Sequence, residues 1–200
     1  MKKSQAFLLA LFLTLAAAPR AFAASYAIDA DHTTVSFKIR HLFSNVQGIF
    51  KQFEGNFDYE PGKPELASAE AVIKAASIDT NVEARDKHLR NPDFFDVEKF
   101  PEIRFKSTKF TEESPEKGKL EGVLTLHGVE KPVTLDVQIH GAGSDPWGNT
   151  RSGFTATAKI NRKDFGLGWN KTVEAGQLLV GEEVVITLEV EGILKKQEKV

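Results

Sequence analysis

The segment 120-LEGVLTLHGVEKPVTLDVQIHG-141 holds two runs of alternating apolar and polar residues separated by a reversal. Leu120, Leu124 and Leu126 stand on one side of the first run, opposite Glu121 and Thr125; Val133, Leu135, Val137 and Ile139 oppose Thr134, Asp136 and Gln138 in the second. Side chains of an extended chain point to opposite faces at successive residues, so each run reads as a strand with one covered and one wet face. The stretch 128-GVEKP-132 predicts a tight turn between them.

The rhythm continues outward in both directions. Segment 34-TVSFKIRH-41 sets Val35, Phe37 and Ile39 against Ser36, Lys38 and Arg40. In 46-VQGIFKQFEGNFDY-59, Phe50 and Phe53 are three apart, so the phase slips, and a bulge near Lys51 and Gln52 would restore one inward face. Ala69, Ala71, Ile73 and Ala75 can share a face in 68-SAEAVIKAAS-77, where small side chains leave interior volume for larger neighbours, or for something else, to fill. Segments 103-IRFKSTKF-110, 153-GFTATAKINR-162 and 183-EVVITLEVEG-192 bring the total to eight principal strands, besides a short initial strand at 26–28, and 111-TEESPEKG-118 reads as a loop.

One stretch breaks the pattern. In 80-TNVEARDKHLRNPDFFD-96, Thr80 or Asn81 can cap a short helix over 82–90 that Pro92 terminates. Phe94, Phe95 and Phe100 follow at once, which predicts a plug packed on the end of a sheet. Strands do not alternate regularly with helices, excluding a doubly wound α/β fold, and no Gly/Ser-rich linker divides the chain. The expected architecture is all-β: one eight-stranded antiparallel barrel with a short helical connection, closed because closure hides the edge groups.

Such a barrel has room for interior side chains or for one small ligand. The inward set includes Phe37, Ile39, Phe50, Phe53, Phe57, Ile73 and Phe105. It continues with Leu124, Leu126, Leu135, Val137, Phe154, Ile160, Ile186 and Leu188. Fifteen Phe against two Tyr and two Trp make an interior with few polar handles, suited to an apolar guest. Alternation establishes a covered face, and both a filled core and a cavity satisfy it. Thr80, Arg85, Asp86 and His88 form the one polar cluster placed to surround a head group; an Arg85–Asp86 pair holding the helix to the barrel explains the same residues. Trp169, near Arg162 and Asp164, reads equally as lid, ligand wall or ordinary packing.

The chain opens MKKSQAFLLALFLTLAAAPRAFA, with Lys2 and Lys3 before an apolar run and an Ala21-x-Ala23 ending. That order predicts a cleaved secretory signal over 1–23 and a single domain over 24–200 in the periplasm. There is no Cys, so neither a lipid anchor nor disulfides are available, and the domain depends on its core alone. Removing the signal leaves a formal charge near −5 and no concentrated basic surface, which argues against a nucleic-acid partner. Transient membrane contact remains compatible with the sequence.

Catalytic and metal motifs are absent. His32, His41, His88, His127 and His140 form no compact zinc spacing, and no G-x-S-x-G elbow occurs. Asp79, Asp86, Asp93 and Asp96 do not follow calcium-loop spacing. Gly166 and Gly168 are turn glycines, since no helix follows them. The expectation is a protein without a catalytic site, metal or cofactor.

Four stretches together resemble the YceI-like family of bacterial secreted or periplasmic proteins. They are 31-DHTTVSFKIRHLFSNVQGIFKQFEG-55, 78-IDTNVEARDKHLRNPDFFDVEKFPEIRFKS-107, 118-GKLEGVLTLHGVEKPVTLDV-137 and 162-RKDFGLGW-169. The pattern RDxHLxxxDFFD followed by FPxIxFxS is far more specific than barrel periodicity. The matching positions include His32, Phe37, His41, Arg85, Asp86, His88, Phe94, Phe95 and Phe105; Thr33 stands where Ser is frequent in the family. The resemblance implies a lipocalin-like barrel with an elongated pocket for a polyisoprenoid or other long-chain amphiphilic lipid, quinone-like compounds included, and it implies a homodimer. A carrier, a lipid-modifying hydrolase or isomerase, and an envelope stress scaffold are the competing functions, of which the first is the expectation.

Overall fold

The computed structural model describes residues 23–172 and 178–196. The expected export signal at 1–23 therefore lies, apart from Ala23, outside the described residues. Strand segments follow in the order β1 (Ala24–Ile28), β2 (Thr34–His41), β3 (Ser44–Phe50), β4 (Phe53–Tyr59), β5 (Ser68–Lys74) and β6 (Ile78–Asp79). After the helix α1 (Glu83–Arg90) come β7 (Glu102–Ser114), β8 (Lys117–Leu126), β9 (Val129–Ser144), β10 (Thr150–Asn161) and β11 (Val180–Leu194).

These segments make an antiparallel barrel of eight staves. β1 and β2 run one after the other along the same edge of β11, and β3 and β4 pair with β2 and β1 in turn. β5 and β6 likewise complete one stave against β4 and β3. The order β1-β4-β5-β7-β8-β9-β10-β11 closes through the β1–β11 pairing, leaving no free edge along that ring. The predicted slip is a real break: between β3 and β4, Lys51 N donates to Ser77 O at 3.1 Å and Gln52 O accepts from Lys74 N at 2.9 Å. It turns both Phe50 and Phe53 inward.

Three local expectations need correction. The reversal after β8 is His127–Gly128, with φ of 53° and 73°, and Val129–Pro132 already belong to β9. Two left-handed residues match the twist of a hairpin, so the tighter turn wins; pairing of β9 with β10 begins only at Asp136, so Pro132 removes no ladder bond there. The expected loop 111–118 is mostly ladder, with Thr111 opposite Lys119 and Glu112 opposite Gly118, a polar extension beyond the core. Finally, α1 has Val82 at its N-cap with no capping side chain, and the Thr80 hydroxyl is engaged with Asp86 and Arg85 instead.

One end of the barrel is filled by Tyr26, Phe57 and Phe154: Tyr26 stacks on Phe57 at 5.1 Å, and Phe154 meets Phe57 edge-on. The other end is closed by the predicted plug, α1 with the turns that follow it. There Phe95 packs edge-on against Phe50, and Phe100 lies 4.5 Å from the ring of His127. A short 3-10 turn after β10, Arg162–Phe165, completes this closure, with Phe165 fully buried and Gly166 in the left-handed region at φ 77°.

The seam near β1 is pinned by Arg151 on β10. Its Nη1 donates to Asp29 Oδ2 at 2.7 Å and Glu191 Oε1 at 2.5 Å, while Nε donates to Asp145 Oδ2 at 2.7 Å. Arg151 holds the Asp29 and Asp145 carboxyls below the usual carboxylate range. Among the described residues no helix is long and apolar enough to cross a membrane.

Candidate ligand-binding cavity

Between the aromatic floor and the plug the barrel holds a cavity of about 340 Å³, within the ~300–1,000 Å³ typical of small-molecule sites. β11 contributes to its wall from Val180 to Val190, so the lined length is roughly 30 Å along the strand. The interior is therefore hollow in part, which resolves the choice that alternation alone left open.

The predicted apolar residues converge on this space. β2 contributes Phe37 and Ile39, β3 Phe50, and β4 Phe53 and Phe57. Ile73 of β5 and Phe105 of β7 face it beside Ala69 and Ala71, whose small side chains leave the room expected of them. Leu124 and Leu126 of β8, Leu135 of β9, Phe154 of β10 and Ile186 of β11 complete the barrel wall. Ile160 and Leu188 also line it, whereas Val137 packs in a separate core cluster with Leu120 and Ala156.

Polar groups gather at the plug end. Arg85 and His88 of α1 reach the cavity together with Phe94, Phe95 and Trp169. The His88 ring meets Trp169 edge-on at 5.0 Å and Phe94 at 5.1 Å, and its Nε2 lies 2.9 Å from Asp93 Oδ2. Trp169 is thus part of the wall, held by rings.

Asp86 is placed differently from the expectation. It does not line the cavity, and it does not pair directly with Arg85. Its Oδ1 accepts from Thr80 N at 2.9 Å and Thr80 Oγ1 at 2.5 Å, while Arg85 donates from Nε to Thr80 Oγ1 and from Nη2 to Thr80 O, both at 2.7 Å. Thr80 therefore links the two ions. At 6 % exposure Asp86 satisfies the buried N–H and hydroxyl of Thr80, in the segment that leads into the helix, and this anchors the plug.

Two kinds of wall residue escape sequence reasoning. Arg162 is 3 % exposed and stands in the cavity wall, a position that its charge argues against until the barrel is closed. Gly48, Gly122 and Gly192 each lie beneath an aromatic ring, a relation visible only when register is known. Asp29, His32 and Glu191 bring ligand-type atoms within 4.8 Å of one another, but Arg151 Nη1 already donates to both carboxylates.

The sequence matches the YceI-like domain over residues 26–192. It is 40% identical over 191 residues to a UPF0312 protein of Pseudomonas putida (strain W619), covering 94% of this chain and 96% of that protein. The crystal structure of the Campylobacter jejuni YCEI protein is 34% identical and superposes with a TM-score of 0.69 over 78% of this chain and 90% of the other. A polyisoprenoid binding domain from Saccharophagus degradans, implicated in plant cell wall breakdown, shares the fold at 15% identity, with a TM-score of 0.61 over 86% and 99% of the two chains.

Proposed function

The chain belongs to the YceI-like domain family, and from that premise we propose that it binds a polyisoprenoid, or a related long-chain amphiphile such as an isoprenoid quinone, inside its barrel. In this reading the protein acts in the periplasm after loss of residues 1–23, and it carries or sequesters its cargo without changing it chemically. The observation that carries the reading is the closed barrel around a largely apolar cavity of about 340 Å³. Each buried CH₂ contributes roughly 0.8 kcal/mol, so a chain of several isoprene groups can be held with few polar contacts. The polyisoprenoid binding of the Saccharophagus degradans domain, which has the same fold, supports the same class of cargo.

Native mass spectrometry of protein purified from the periplasm, followed by organic extraction of any retained lipid, tests the proposal. A stoichiometric isoprenoid recovered unaltered is the expected result. Protein that carries none and takes up none when polyprenols are added contradicts it; cargo recovered as a cleaved or isomerised product replaces the carrier reading with an enzymatic one.

A further inference from the structure

We propose that Arg162 is the head-group anchor of the cavity and that the preferred amphiphile bears an oxyanion, a carboxylate or a phosphate. This rests on the lipid-binding reading above and adds to it the chemistry of the head. Arg162 opens the 3-10 turn at the end of β10, with Nε donating to Gly181 O at 2.8 Å and Nη1 donating to Leu167 O. Its Nη2 is shielded from solvent and meets no acceptor among the described residues. Arginine keeps its charge when buried, and both acceptors it does have are neutral carbonyls. Glu182 is the carboxylate that acts on it electrostatically, and Glu182 is itself bonded to Lys163 Nζ at 2.5 Å. Burial pushes the Arg162 guanidinium below the ordinary arginine value, the sign of a cation without a close counter-ion.

Arg85 and His88 reach the cavity with Arg162, while the one acidic side chain among the described lining residues, Glu70, is exposed on β5 and accepts from Asn56 Nδ2 at 3.2 Å. A hydroxyl or quinone carbonyl would satisfy the Nη2 donor and leave the charge uncompensated. An oxyanion satisfies both, and charge-assisted bonds are the stronger class.

The test is equilibrium titration of delipidated protein with probes that share one tail: geranylgeraniol, geranylgeranoic acid and geranylgeranyl monophosphate. The acid, the phosphate or both should bind at least about tenfold more tightly than the alcohol, and Arg162→Gln should erase that difference. The acid and phosphate arms separate the two head groups. Equal binding of alcohol and anions overturns the anchor and leaves lipid binding standing, whereas failure of every probe overturns both. Anion preference persisting in folded Arg162→Gln also overturns the assignment. Since Arg162 holds two backbone carbonyls, circular dichroism must show that the variant folds; if it does not, the wild-type ratio of anion to alcohol decides.

Discussion

The ring of Phe37 occupies the space above Gly48, its partner across the β2–β3 ladder: a Cβ on Gly48 would stand 2.5 Å from Phe37 Cζ and 2.8 Å from Thr80 Cγ2. Phe105 takes the same place over Gly122, and Phe57 over Gly192, at 2.5 and 2.6 Å. All three rings line the cavity. Glycine beneath them lets bulky rings recess into the wall, so an interior rich in Phe still has an open centre.

Gly48→Ala should therefore push Phe37 inward and overpack the site, destabilising the fold by about 1–3 kcal/mol. Urea unfolding followed by circular dichroism measures this, and lipid uptake should fall with it. Gly143→Ala is the control, since nothing lies within 4 Å of a Cβ there; equal effects at the two positions would sink the recessed-ring account.

Ala71→Phe places a ring on the cavity face beside Phe105, its ladder partner. The expected outcome is a folded barrel with polyprenol affinity reduced by about tenfold or more, because added volume displaces tail from apolar contact. Tryptophan emission offers the readout: Trp147→Phe leaves Trp169, which lines the cavity, as the only tryptophan. Undiminished affinity in a folded Ala71→Phe protein would mean that the tail lies elsewhere.

How far these features were legible in the sequence depends on their range. The strand faces were readable because each stave has one covered side, and the slip between β3 and β4 was readable because Phe50 and Phe53 are three apart. The apolar wall followed from the same periodicity. Asp86 was misplaced because its charge suggested Arg85 as partner, while folding brings the Thr80 N–H to it instead. The glycines beneath the rings depend on which residues pair across strands. Arg162 depends on the carbonyls of Leu167, five residues on, and of Gly181 across the barrel wall, and neither bond leaves a sequence signal.

Asp86→Ala removes the acceptor for both Thr80 donors, and hydrogen bonds to a charged group contribute roughly 1.5–3 kcal/mol. The plug should loosen first. Hydrogen exchange should accelerate across residues 80–96 more than in β8–β10, with Asp86→Asn intermediate. Loss of lipid affinity without faster exchange would indicate that Asp86 touches cargo after all.

Arg151 makes the seam acid-sensitive. It lowers the carboxyl values of Asp29 and Asp145, so its contribution is full above the unfolded carboxylate value of about 3.9 and is lost as pH falls through the lower folded values. Arg151→Met should lower Tm at pH 7, and the gap from wild type should narrow below about pH 4. A gap independent of pH would remove Arg151 as the electrostatic pin.

The most direct measurement is a crystal structure of the protein loaded with a polyprenyl amphiphile. Continuous tail density enclosed by Phe37, Phe105 and Phe154, with the polar end toward Arg162, is the predicted result. A collapsed or empty interior with lipid bound only on the outer surface would contradict the account.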